Sequence, residues 1–317
     1  MSKEIITYIV FGVVLLVALV VDLGLLSKKN KEITLKKAMF QTIFWVLLAI
    51  GFFAFLWMED GHQPALEYIS AYLMEWSLSI DNIFVFVLIF TSFSVSEKYY
   101  SRVLLIGILM AIVFRVIFIS VGVALVQRFE WILYIFGVFL LYTGFKMFSS
   151  DEDKQFDPET SKAYKLVKGI FPLTTKDANG KFWITENGKR MYTTLFVVVM
   201  MLASIDLVFA LDSIPAVMGI SRDKMVIYTS NIFAVLGLRS LFFLLKGAVN
   251  KFEYLQQGIA VVLIFIGLKM LAAHWINEWL NNNAQIFMSL GVIIVCITLS
   301  VIFSMIKNKR ESSKLKV

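Results

Sequence analysis

The sequence predicts an all-α membrane protein with about nine transmembrane helices, and three observations lead there. Of its 317 residues 59% are hydrophobic and 17% charged, with a mean hydropathy of +0.79, far from the composition of soluble domains. Apolar runs able to cross ~30 Å of hydrocarbon, which takes roughly 20 residues each, recur along the whole chain. A unit of three such runs also occurs twice.

The runs lie near 5–26, 38–58, 68–94, 103–126, 131–148, 193–219, 226–245, 254–275 and 285–306. The first is followed by "SKKNKEITLKK", not by a small-residue cleavage site, so it is expected to remain as a helix. Lys28, Lys29, Lys31, Lys36 and Lys37 crowd the first connection, and Lys307, Lys309, Arg310, Lys314 and Lys316 crowd the tail. The positive-inside rule puts both clusters in the cytoplasm. Glu59, Asp60 and Glu67 leave the second connection acidic, as an outer one would be. Nine crossings, with the amino terminus outside and the carboxyl terminus cytoplasmic, satisfy these flanks.

The net charge of +7 follows this topology, so the lipid bilayer, and no nucleic acid, is the expected partner. No G-x-x-x-x-G-K-[ST] phosphate loop occurs, which excludes transport driven by the chain's own ATP hydrolysis. Cys296 is the single cysteine, leaving no internal disulfide or thiolate cluster. His62 and His274 are the only histidines, too few for a histidine-rich zinc transporter. No prosthetic group and no enzymatic activity are expected.

From Ser149 to Met191 runs the one sizeable extramembrane segment, placed in the cytoplasm. Asn179-Gly180 and Asn187-Gly188 flank "KFWIT" and predict tight turns around a small hairpin. Partner proteins would dock here if the chain has any.

The repeat organises the rest. "EWSLSIDNIFV" over "DLVFALDSIPA" places Glu75 on Asp206, Asp81 on Asp212 and Asn82 on Ser213; "FRVIF" at Arg115 lies over "LRSLF" at Arg239. "LLYTGFKMF" lies over "LIFIGLKML", with Gly144 on Gly267 and Lys146 on Lys269. Because a three-helix unit is odd, its copies enter the membrane in opposite senses, the inverted repeat typical of secondary transporters. The expected layout is two peripheral helices in 1–64, a first repeat in 65–148 (helices 3–5), the cytoplasmic loop in 149–192, a second repeat in 193–276 (helices 6–8), and the last helix with its basic tail in 277–317.

The repeats carry acids where lipid would be expected. Four ionised carboxylates, Glu75, Asp81, Asp206 and Asp212, would cost on the order of 10 kcal/mol if left unpaired in hydrocarbon, so something compensates their charge. Six residues on a regular helix stand about 9 Å and about 120° apart, so the two acids of one repeat do not share a face. Pro215 removes a hydrogen bond to the Leu211 carbonyl and would locally unwind the helix. Carboxylates with the Asn82 amide, the Ser213 hydroxyl and backbone carbonyls make an all-oxygen set suited to Mn²⁺, Ca²⁺ or Mg²⁺. The competing reading pairs the acids with Arg115, Arg239 and Lys269 in buried ion pairs that fix helix packing. Asn231 fits either a helix-to-helix hydrogen bond or the ion path.

"SLSIDNIFVFVLIF", "SIDLVFALDSIPAV", "YTSNIFAVLGLRSLFFLL" and "FIGLKML" together resemble the TerC family of membrane proteins over nearly the whole stretch from Ala65 to Ala273. The resemblance implies a multi-pass protein of the bacterial cell (inner) membrane, linked to manganese export, to metal supply for secreted enzymes and in some members to tellurite resistance. Its acidic motif positions map onto Glu75, Asp81 and Asn82 and onto Asp206, Asp212 and Ser213. Many relatives carry a glutamate where this chain has Ala203, a departure that bears on metal preference. The expected function is a secondary exporter of Mn²⁺ as bound substrate, working by alternating access. A non-transporting envelope or tellurite-stress adaptor and a Ca²⁺/H⁺ exchanger are the alternatives.

Overall fold

The computed structural model describes residues 3–24, 33–149, 161–174, 180–186, 188–246 and 254–314. Residues 25–32, with Lys28, Lys29 and Lys31, and also Asn179 and Asn187, lie outside the described residues. The helices are α1 (Lys3–Gly24), α2 (Leu35–Glu59), α3 (His62–Ser92), α4 (Glu97–Arg128), α5 (Ile132–Ser149), α6 (Lys162–Ile170), α7 (Thr194–Met218), α8 (Lys224–Leu245), α9 (Leu255–Leu271), α10 (Ala273–Trp279) and α11 (Asn282–Lys314). Strands β1 (Trp183–Glu186) and β2 (Lys189–Tyr192) form an antiparallel hairpin.

A helix occupies each of the nine apolar runs. Among the described residues, six helices are long and apolar enough to cross a membrane: α2, α3, α4, α7, α8 and α11. The apolar stretches Ile5–Val20, Ile132–Phe148 and Leu255–Leu271 are shorter. The chain is a multi-pass, all-α membrane protein. Helices suit that setting because they satisfy their backbone hydrogen bonds internally, which lipid cannot do for them. Leu16, Val17 and Val20 of α1 and Ile294, Val295, Leu299 and Phe303 of α11 are exposed on the outside of the bundle, as residues facing hydrocarbon should be.

At the centre stands α8, buried along nearly its whole length. Asp223 caps it, accepting from the Met225 backbone N–H at 2.7 Å, so the chain turns into this helix without stranding its first amide donors. Around it, α3 lies along α8, α4 along α7 and α5 along α9, while α2 covers α8 and α11 covers α9.

The α5–α9 contact is a seam of glycines. A Cβ on Gly144 would stand 2.9 Å from the Ala260 carbonyl oxygen and 2.6 Å from Ile264; one on Gly267 would stand 2.8 Å from the Gly137 carbonyl oxygen and 3.1 Å from Leu141. Only the missing side chain lets the two backbones approach so closely. Under the alignment of Gly144 with Gly267, Ala260 is the counterpart of Gly137 and Ile264 that of Leu141. Each glycine therefore meets the partners its counterpart meets, with the roles of the two helices exchanged.

The hairpin expectation holds for the described residues. Glu186 pairs with Lys189 across a two-residue connection in which Gly188 has φ +76, a conformation that favours glycine. Gly180, at φ +82, packs against Tyr99, and its carbonyl accepts from Arg102 Nη1 at 3.0 Å. These contacts fix the hairpin to the start of α4.

One expectation fails. Helix α7 runs unbroken from Thr194 to Met218, through Asp212 and Pro215. Pro215 lies only three residues from the end, so the hydrogen bond it removes belongs to the last turn. The Gly219 backbone N–H then closes that end on the Pro215 carbonyl at 3.0 Å. Helix α3 is likewise continuous through Asp81. Acids from one helix therefore cannot converge, and any site must be assembled between helices.

Candidate functional site: a carboxylate and arginine centre with an adjoining cavity

Such an assembly forms around Arg115, in the middle of α4. Its Nε donates to Asp206 Oδ2 at 2.8 Å and its Nη2 to Asp206 Oδ1 at 3.1 Å, the two-pronged geometry in which guanidinium and carboxylate fit best. Its Nη1 donates to Glu75 Oε1 and to Asn231 Oδ1 at 3.1 Å, with the Ser213 hydroxyl at 3.4 Å. Four helices thus meet on one side chain: α3, α4, α7 and α8. Glu75, Asp206, Asn231 and Arg115 are all buried.

Glu75 and Asp206 occupy positions that the sequence alignment matches, and Arg115 bonds both. Asn231 is held in turn by its Nδ2, which donates to the Ile227 carbonyl of its own helix at 3.0 Å; its helix-to-helix bond is the one its Oδ1 accepts from Arg115. One positive charge faces two carboxylates. Glu75 Oε2 has no hydrogen-bond partner among the described residues, and neither has the Ser79 hydroxyl one turn further along α3. A buried acceptor without a donor costs about 1–3 kcal/mol, more for a charged group.

Beside this centre lies a cavity of about 200 Å³. Glu75, Asn82, Arg115, Asp212 and Ser213 line it, together with Thr143, Lys146 and Gln256. Thr143 of α5 donates to Asp212 Oδ1 at 3.2 Å. The structure therefore brings Glu75, Asn82, Asp212 and Ser213 around one space, with Asp206 on the far side of Arg115. The side chain of Asp81 lies outside the described residues.

The charge-balancing residues separate into two groups. Arg115 is the hub, and Asn231 joins it. Lys269 stands elsewhere: its Nζ donates to Ser289 Oγ at 3.1 Å, and it lines a second cavity, of about 390 Å³, with Glu67. Arg239 is buried in α8. Ala203 is fully buried in α7, three residues before Asp206. Among the described residues, no three His, Cys, Asp or Glu side chains converge closely enough to hold a metal by themselves.

Thr143 and Gln256 escaped sequence reasoning. Thr143 was visible in "LLYTGFKMF" as the polar residue before the seam glycine Gly144. Gln256 offered no signal beyond an amide near a helix start.

The family described as "Integral membrane protein TerC family" matches residues 60–312. A membrane protein of Myxococcus xanthus, named STKORF319 and uncharacterized, is 40% identical over 291 residues, covering 92% of this chain and 89% of the relative. One from Rickettsia bellii, also named only as an uncharacterized membrane protein, is 38% identical over 301 residues, covering 95% of this chain and 97% of its own. A protein of Escherichia coli strain K12, Alx, whose name proposes a membrane-bound redox modulator, is 36% identical over 313 residues, with 96% and 95% coverage. No solved structure matches the chain.

Proposed function

The chain belongs to the TerC family of integral membrane proteins, and on that premise we propose that it is a secondary transporter exporting a divalent cation, Mn²⁺ first, across the cell membrane. The observation that carries this reading is the unpartnered Glu75 Oε2 beside a cavity lined by Asp212, Asn82 and Ser213. Oxygen donors of this kind suit a hard divalent cation. In the membrane interior such groups mark ion pathways.

In this reading nine helices cross the membrane, with the amino terminus outside, and α3–α5 and α7–α9 are inverted repeats. The exchanged contacts of Gly144 and Gly267 support that relation, as does the pairing of α3 with α8 beside that of α4 with α7. Arg115 acts as a tethered cation. It neutralises Glu75 and Asp206 while no ion is bound, and entry of Mn²⁺ from the cavity displaces it from Glu75. The ion is then held by Glu75, Asp212, Asn82 and Ser213, with Asp206 retaining Arg115. Rocking of the repeats about the α5–α9 seam carries the site from one face to the other.

A redox role, the one in the name of the Escherichia coli relative, would start here from a single thiol, Cys296, half-buried in α11. A thiol–disulfide mechanism would therefore need a second molecule. An adaptor role would centre on α6 and the hairpin.

Flux into vesicles containing the purified full chain, with Mn²⁺ set against Ca²⁺, Mg²⁺ and Zn²⁺, tests the proposal. Saturable Mn²⁺ flux that Asp212→Asn abolishes is expected. Absence of flux for every ion, with cellular activity lost instead on substitutions in residues 161–192, would favour the adaptor.

A further inference from the structure

The second cavity has a counterpart. Lys146 and Lys269 are equivalent positions of the repeats, and each lines a cavity together with a carboxylate: Lys146 with Asp212 in the cavity of about 200 Å³, Lys269 with Glu67 in that of about 390 Å³. The two open towards opposite ends of the bundle. Lys146 and Gln256 come from the end of α5 and the start of α9. Glu67, Met218 and Lys269 come from the start of α3 and the ends of α7 and α9, with Glu130, Arg222 and Gln285 beside them.

The larger cavity is built rather than incidental. Lys269 is only 8% exposed and is steadied by Ser289 Oγ, which itself donates to the Gln285 carbonyl at 2.9 Å. Glu67 accepts from Gln63 Nε2 at 3.0 Å and from the Ser221 hydroxyl. Acidic oxygens, amides and hydroxyls surround a space wide enough for a hydrated cation, with one ammonium set into its wall.

The geometry points to the larger cavity as the second vestibule of the transport path, with Lys269 as the fixed ammonium that repels cations entering from that end. This rests on the proposed transport function. Lys146 is its counterpart at the other vestibule. A fixed positive charge in the cavity wall depletes cations there and lowers their rate of entry from that end. Exchange of Lys269 should therefore change the rate at which cations enter from its own end.

The test uses the full chain in vesicles, with Mn²⁺ supplied from the side that exposes the start of α3. Lys269→Gln should raise Mn²⁺ entry from that side by roughly five- to tenfold. In a Cys296→Ser background, Lys269→Cys treated with an impermeant thiol reagent bearing a quaternary ammonium should restore slow entry, and one bearing a sulfonate should accelerate it further. Equal responses to the two reagents, or a Lys269→Gln protein with unchanged entry beside an active wild type, would overturn the vestibule role alone. A wild type with no Mn²⁺ flux at all would overturn the transport proposal and this inference with it.

Discussion

The Arg115 centre and the α5–α9 seam are both buried helix contacts, yet they are held by opposite means. At the seam, glycines bring backbone against backbone, and aligned positions of the two helices exchange equivalent contacts. At the centre, one guanidinium serves two carboxylates, and an oxygen of Glu75 is left without a donor. A seam of the first kind serves packing alone. The second costs stability that a purely structural contact has no reason to forgo, because well-packed apolar residues would serve a fold as well or better. In the proposed reading, the difference separates the part of the bundle that holds shape from the part that would hold an ion.

Substitutions should deepen or erase this contrast. Arg115→Met leaves Glu75 and Asp206 uncompensated and should cost about 3–5 kcal/mol, read as thermal unfolding in detergent, with part of the loss recovered on adding Mn²⁺. Full stability without metal would make the centre an ordinary contact. At the seam, Gly144→Leu forces a side chain into the Ala260 carbonyl and Ile264 and should cost at least roughly 1–3 kcal/mol, with no recovery by Mn²⁺. Recovery there would blur the division of labour.

Thr143→Val removes the hydroxyl on Asp212 and should cost about 1 kcal/mol in stability, while weakening Mn²⁺ binding measured by titration. The smallest effect belongs outside both regions. Gly51→Ala on α2, where an added Cβ meets nothing within 4 Å, should stay within about 0.5 kcal/mol of wild type.

Much of this was legible in the sequence, and the remainder has physical reasons. Helix positions followed from hydropathy, because lipid demands long apolar stretches. Equivalence of Glu75 with Asp206 and of Gly144 with Gly267 could be read by laying one repeat on the other. The hub was less legible: Arg115 lies 40 residues from Glu75 and 91 from Asp206, and no local pattern says which acids a central arginine takes. Lys269 lines the second cavity with Glu67, a placement that aligning the repeats does not reveal. Pro215 misled for the same reason that makes proline tolerable in a last turn: its lost hydrogen bond falls where the helix is already ending.

The most direct test of the central claim is a titration of the purified full chain with Mn²⁺, following the free ion by its paramagnetic resonance, for wild type and for Glu75→Gln. The account predicts saturable binding to the wild type, weakened at least about tenfold when the unpartnered oxygen becomes an amide. Unchanged binding by Glu75→Gln, or none by the wild type, would contradict it.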